Sequence, residues 1–130
     1  MEIVKIVILS LSSLLLVFVG LMRLFNPINT YEKNSGIKLA NDTDLLNEMR
    51  GVSAVMLCGG LLVALGIFVP MMTFSSHIVG SLIFIGFLIG RLVSMSADGK
   101  PNKQIVQGIY FELMFGGANV YGLYSTLSQN

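Results

Sequence analysis

The sequence predicts an all-α integral membrane protein: a four-helix bundle running up-down-up-down, with one long loop between its first two helices. Hydrophobic residues make up 54% of the 130 residues and charged residues only 12%, about half the roughly 25% charge of a soluble domain. The apolar residues gather in four stretches, at 3–22, 52–69, 77–95 and 105–127. Each is close to the ~20 residues needed to cross about 30 Å of hydrocarbon at 1.5 Å per residue. These stretches use up most of the chain, so residues 1–130 are read as a single transmembrane domain.

The first stretch follows Lys5 and ends in Arg23. It has no small-residue cleavage site, so it reads as a retained helix, not a signal peptide. The connection from Phe25 to about Asn47 reads as loop, with turn signals at Asn26-Pro27 and Asn34-Ser35-Gly36. Asn41-Asp42-Thr43-Asp44 offers capping side chains just before Leu45-Leu46, so the second helix is expected to begin around Asp42–Asp44. It carries Glu48 and Arg50 down to the membrane boundary. The same three residues, Asn41-Asp42-Thr43, fit a glycosylation sequon, a match short enough to arise by chance.

A short turn from Pro70 to Ser76 makes the second and third spans antiparallel neighbours. Asp98-Gly99-Lys100-Pro101 turns the third span into the fourth. Both termini then share one side. Of the eight basic residues only Lys5 lies near that side. The positive-inside rule accordingly puts the first and third loops in the cytoplasm and both termini outside.

Several chemistries find no support. Cys58 is the one cysteine, so there is no disulfide or CxxC pair, and it reads as a small core residue. His77, the one histidine, falls at a helix start and reads as a capping or solvated residue. No cysteine or carboxylate lies at ligand spacing from it, so no metal site is expected. A net charge of +1 offers no basic face for nucleic acid.

The informative residues are the charged ones inside apolar helices. A carboxylate at bilayer depth costs roughly 2.5–3.5 kcal/mol on insertion scales, and such groups face a helix interior and have partners. In the fourth span Gly108, Glu112, Phe115, Asn119, Gly122 and Thr126 fall within roughly 40° of a common line, while Tyr110, Tyr121 and Tyr124 project elsewhere. In the third, His77, Gly80, Phe84, Phe87, Arg91 and Ser94 share a face. Gly86 and Gly90 form a G-x-x-x-G that reads as ordinary helix packing, as do Gly59, Gly60, Ala64 and Gly66. Folding the last hairpin about Gly99 brings Arg91 and Glu112 to within roughly 9 Å along the axis, and an arginine can span much of that. Arg23, Glu48, Arg50 and Asp98 are expected at the same level. Three arginines and three carboxylates would then form a charge-balanced cluster, as low dielectric requires.

Taken together, several stretches resemble a small bacterial membrane family catalogued only as a domain of unknown function (number 4345). They are Gly20-Leu21-Met22-Arg23 with Asn26-Pro27, Gly36-Ile37-Lys38-Leu39, Leu46-Asn47-Glu48-Met49-Arg50-Gly51, Gly90-Arg91, Asp98-Gly99-Lys100-Pro101 and the Glu112 segment. The likeness covers nearly the whole chain. More distantly the layout is similar to DoxX-like four-helix membrane proteins, some of which accompany quinone-linked oxidoreductases. The resemblance implies a multi-pass protein of the bacterial inner membrane and supplies no activity.

The residues support a binding or accessory protein among membrane lipids. It would hold a small amphipathic molecule (lipid, isoprenoid or quinone), or serve a larger membrane complex or a homo-oligomer. Arg23, Arg50 and Arg91 would grip the head, Glu48 and Glu112 would orient them or bind a hydroxyl, Asn119 would line the floor, and Asp98 belongs to the same ligand-binding set. No dedicated cofactor is expected beyond such a quinone or lipid. The plainer alternative is a network that only locks helix register. Two others are an intramembrane isomerase or reductase subunit using Glu112 as acid or base, and proton or ion transport. Transport would need a polar path through a second half in which few ionisable groups are expected.

Overall fold

The chain's 3 prolines, Pro27, Pro70 and Pro101, all fall at helix boundaries, where a missing N–H and a fixed φ cost least. Between them the apolar stretches run as uninterrupted helix. The structure, a computed structural model, describes residues 2–129. It is all-α: α1 (Glu2–Phe25), α2 (Pro27–Ser35), α3 (Thr43–Phe68), α4 (Thr73–Asp98) and α5 (Lys103–Ser128), with a 3-10 turn, Pro70–Met72, before α4.

The connection expected to be loop contains α2. Pro27 occupies its first turn and Gly36 closes it at φ 66, the left-handed cap that glycine takes without a Cβ penalty. The Gly36 and Ile37 amides donate to the carbonyls of Glu32 and Tyr31, completing the C-terminal cap. Asn26-Pro27 and Gly36 were therefore helix start and stop signals. The expected start of the following helix is met: Asp42 is its N-cap, accepting from the Leu45 amide at 3.2 Å. Asn102 does the same for α5, through the Ile105 amide at 2.9 Å.

Among the described residues, three helices are long and apolar enough to cross a membrane: Ile3–Phe25, Thr43–Phe68 and Pro70–Asp98. The last helix, α5, is 26 residues long but is not among them. Gln104, Gln107, Glu112 and Asn119 dilute its apolar content.

α1 packs chiefly on α3, α3 on α4 and α4 on α5, while α1 and α5 touch more lightly. Small residues set the close approaches. Gly20 lies against the Leu57 and Ser53 backbone, Gly60 against Leu16 and Val17, and Gly59 against Ile83. Gly66 lies in turn against Ser76, so in both helix pairs the contacting residue numbers run in opposite directions and the packed neighbours are antiparallel. Leu9, Leu16, Met56, Val63 and Phe84 form the buried core.

Much of the rest of the interior is polar, and much of the exterior is apolar. Ser12, Ser53, Ser76, His77 and Asn119 are buried, while Phe18, Phe25, Phe68, Met71 and Leu82 are among many exposed large apolar residues. Soluble monomers do not expose continuous apolar surface on this scale; hydrocarbon accepts it. Gly86 and Gly90 lie on that outer surface with nothing within reach of an added Cβ, so this G-x-x-x-G packs no helix of the chain. Cys58, expected in the core, is exposed, because α3 turns the neighbouring Gly59 and Gly60 inward instead.

Candidate functional site

At the end of α1 the chain folds back through α2. Thr30 Oγ1 donates to the Met22 carbonyl at 3.0 Å, and Tyr31 and Ser35 are buried against α1. These two side chains hold Arg23. Its guanidinium lies 4.4 Å from the centre of the Tyr31 ring, and Nη2 donates to Ser35 Oγ at 3.2 Å. α2 is itself tied to the start of α5. Asn102 Nδ2 donates to the Ser35 carbonyl and Gln104 Nε2 to the Lys33 carbonyl, both at 2.8 Å.

Arg91 on α4 meets Glu112 on α5, the pairing that the hairpin geometry anticipates. Arg91 Nε donates to Oε1 at 2.8 Å and to Oε2 at 2.9 Å. Glu112 is buried while Arg91 is partly exposed, so the pair reaches from the interior towards the surface. Where α1 and α5 touch lightly, a cavity of about 140 Å³ remains, well above the roughly 10–15 Å³ that one water needs. Arg23, Arg91 and Glu112 form its charged wall; Leu15, Leu16, Val19, Met56, Phe84 and Phe87 are the main part of its apolar wall.

The expected six-member cluster is not assembled. Glu48, Arg50 and Asp98 are exposed and do not line this cavity. Arg50 donates to the Leu24 carbonyl, fastening α3 to the end of α1. Ser94 Oγ donates to Asp98 at 3.4 Å, and Glu48 has no ion pair among the described residues. Helical phase turns these three side chains outward, away from the cavity. The charges that do meet are two arginines and one carboxylate, so the expected balance gives way to one excess positive charge.

Asn119 is not the floor of this cavity. It lies deeper, beyond the stacked rings of Phe84 and Phe115 (5.3 Å between centres), in a separate network. Its Nδ2 donates to Ser12 Oγ and to the Phe115 carbonyl, both at 2.9 Å. Its Oδ1 is 3.2 Å from His77 Nδ1, which must therefore carry the hydrogen. His77 is 0% exposed, correcting the expectation of a solvated histidine. Helix α4 begins at Thr73, one turn earlier than the apolar pattern suggests, so His77 already lies within the packed segment. Lys5 is buried as well, donating to Gln129 Oε1 at 2.8 Å. Among the described residues this half of the bundle thus buries Lys5 and His77, and neither lines the cavity.

Sequence reasoning overlooked Tyr31, Ser35 and Ser12. Tyr31 and Ser35 are four residues apart and share a helix face, but this shows only once 27–35 is read as helix. Pro27 followed by Gly36 was the available signal.

Fold and site together define a membrane-type helical protein with a charged cavity between its helices. The chain belongs to the family described as Domain of unknown function (DUF4345), whose model matches residues 4–123. No curated protein and no solved structure matches it.

Proposed function

We propose that the four long helices cross the bacterial inner membrane as an up-down-up-down bundle and hold a small amphipathic molecule, either alone or as a subunit of a membrane complex. The amphiphile would be a lipid, isoprenoid or quinone. Supporting this reading is one observation: a single cavity joins an apolar wall to the Arg23, Arg91 and Glu112 side chains. The head would meet the guanidinium groups, and the tail would lie along Leu15, Val19 and Phe87. Loops 1 and 3 would face the cytoplasm, where most of the basic residues gather. A role for Glu112 as acid or base has no comparable support, since both its oxygens accept from Arg91. Purification in mild detergent followed by mass spectrometry of co-purified small molecules tests the proposal. A bound amphiphile is expected from the wild type and a depleted amount from Leu15→Trp, which fills the apolar wall. Equal recovery from both would sink it.

A further inference from the structure

The cavity reading leaves the chemistry of the head open, and we infer that the head is a singly charged oxyanion, a phosphate or carboxylate, selected by Arg23. This rests on the cavity being a ligand site. The charges that line it are two guanidinium groups and one carboxylate, which leaves one positive charge without a counter-ion in the cavity wall. Glu48 and Asp98, the other carboxylates expected at this level, are exposed elsewhere.

Arg23 carries the orphaned charge. It is 9% exposed, and its Nε is buried with no hydrogen-bond partner among the described residues. A serine hydroxyl and the face of a tyrosine ring hold the guanidinium in place, but neither neutralises it. A buried cation without an anion is costly in low dielectric. A neutral quinone carbonyl or isoprenyl hydroxyl would satisfy a hydrogen bond and leave that charge in place. An oxyanion satisfies both.

Arg91 supplies the second set of donors. Glu112 takes only its Nε, shared between both carboxylate oxygens, in place of the usual fork-to-fork pairing through Nε and Nη. Its Nη groups make no hydrogen bond to the described residues and suit an oxyanion on the open side. Glu112 in turn limits the charge of the guest. A head with two negative charges would meet its carboxylate, whereas one with a single charge brings the cavity to neutrality.

The experiment is a calorimetric titration of the full chain in neutral detergent with four probes: dodecyl phosphate as its methyl ester, a phosphodiester that carries one charge where a monoester would carry nearly two, dodecanoate, dodecanol and inorganic phosphate. The wild type should bind dodecyl phosphate or dodecanoate at least about tenfold more tightly than dodecanol, the scale of one charge-assisted hydrogen bond. Arg23→Gln should erase that preference, and Arg23→Lys should restore part of it. Inorganic phosphate binding as tightly as dodecyl phosphate would keep the anion assignment and make the source a free ion, removing the tail. Dodecanol binding the wild type as tightly as both dodecyl phosphate and dodecanoate would overturn the inference and leave the cavity as a ligand site. No binding by any probe would overturn both. The wild-type comparison needs no variant, so it decides the matter even if Arg23→Gln fails to fold.

Discussion

Arg91 Nε lies 2.8 Å from Oε1 and 2.9 Å from Oε2 of Glu112, so one N–H is shared by both oxygens of a buried carboxylate. The two residues are on antiparallel neighbours, and the ion pair closes α4 onto α5 just below the Gly99 turn. Arg91→Met strands that carboxylate. The expected cost is about 3 kcal/mol, the lower end for breaking a buried pair, because Arg91 is itself 27% exposed. The double replacement of Arg91 by Met and Glu112 by Leu should recover most of the loss. Unfolding by denaturing detergent, monitored by circular dichroism, gives both values. A double variant as unstable as the single one would show that the pair does more than neutralise itself.

Asn119 serves three partners at once: His77, Ser12 and the Phe115 carbonyl. Asn119→Ala leaves the His77 Nδ1–H without an acceptor in the buried interior, and a buried unsatisfied group costs about 1–3 kcal/mol. Ser12→Ala removes only one acceptor, and Asn119 Nδ2 still reaches the carbonyl of Phe115, so its cost should stay below about 1 kcal/mol. The same unfolding assay ranks them. A Ser12 variant as damaging as the Asn119 one would mean that the hydroxyl, not the amide, organises the network.

Much of this interior was legible in the sequence because helical period is legible. The stripe of Glu112, Asn119 and Gly122 does face inward, and Tyr110, Tyr121 and Tyr124 do face out. The Arg91–Glu112 contact followed from hairpin register alone. Glu48, Arg50 and Asp98 depart from the expected cluster because rotation about the helix axis is poorly encoded near helix ends. An apolar stripe fixes rotation in mid-span, but the polar ends carry no such stripe. His77 is buried for a related reason: the helix begins before the apolar run does. Arg23 was recognised, yet its clasp was not, because Tyr31 and Ser35 meet it only when the short α2 folds back.

Gly20 approaches the α3 backbone so closely that an added Cβ would lie 2.9 Å from the Leu57 nitrogen and 3.1 Å from the Ser53 carbonyl oxygen. Backbone cannot swing aside, so Gly20→Ala should push α1 off α3 and cost about 1–3 kcal/mol, the range for overpacking. Gly117, on the outer face of α5, has nothing within 4 Å of an added Cβ. Gly117→Ala should therefore stabilise by roughly 0.5–1 kcal/mol through helix propensity alone. Thermal unfolding of the two variants in one detergent compares them directly. A neutral Gly20→Ala would contradict the close α1–α3 packing.

Asn102 does two jobs with one amide: its Oδ1 caps α5 through the Ile105 amide, and its Nδ2 holds the Ser35 carbonyl at the end of α2. Asp42 caps α3 in the same way but has no part in holding α2. Each change to alanine should cost about 1 kcal/mol of capping energy. The difference lies in where protection is lost. Asn102→Ala should raise amide exchange across residues 27–35 as well as in the first turn of α5, because it unties α2 at its C-terminal end, next to the Gln104 contact that remains. Asp42→Ala should raise exchange only at the start of α3. Hydrogen–deuterium exchange resolved by mass spectrometry separates the two. If α2 stays as protected in the Asn102 variant as in the wild type, its position rests on Thr30 and Tyr31 packing against α1, and the tie to α5 is incidental to how Arg23 is held.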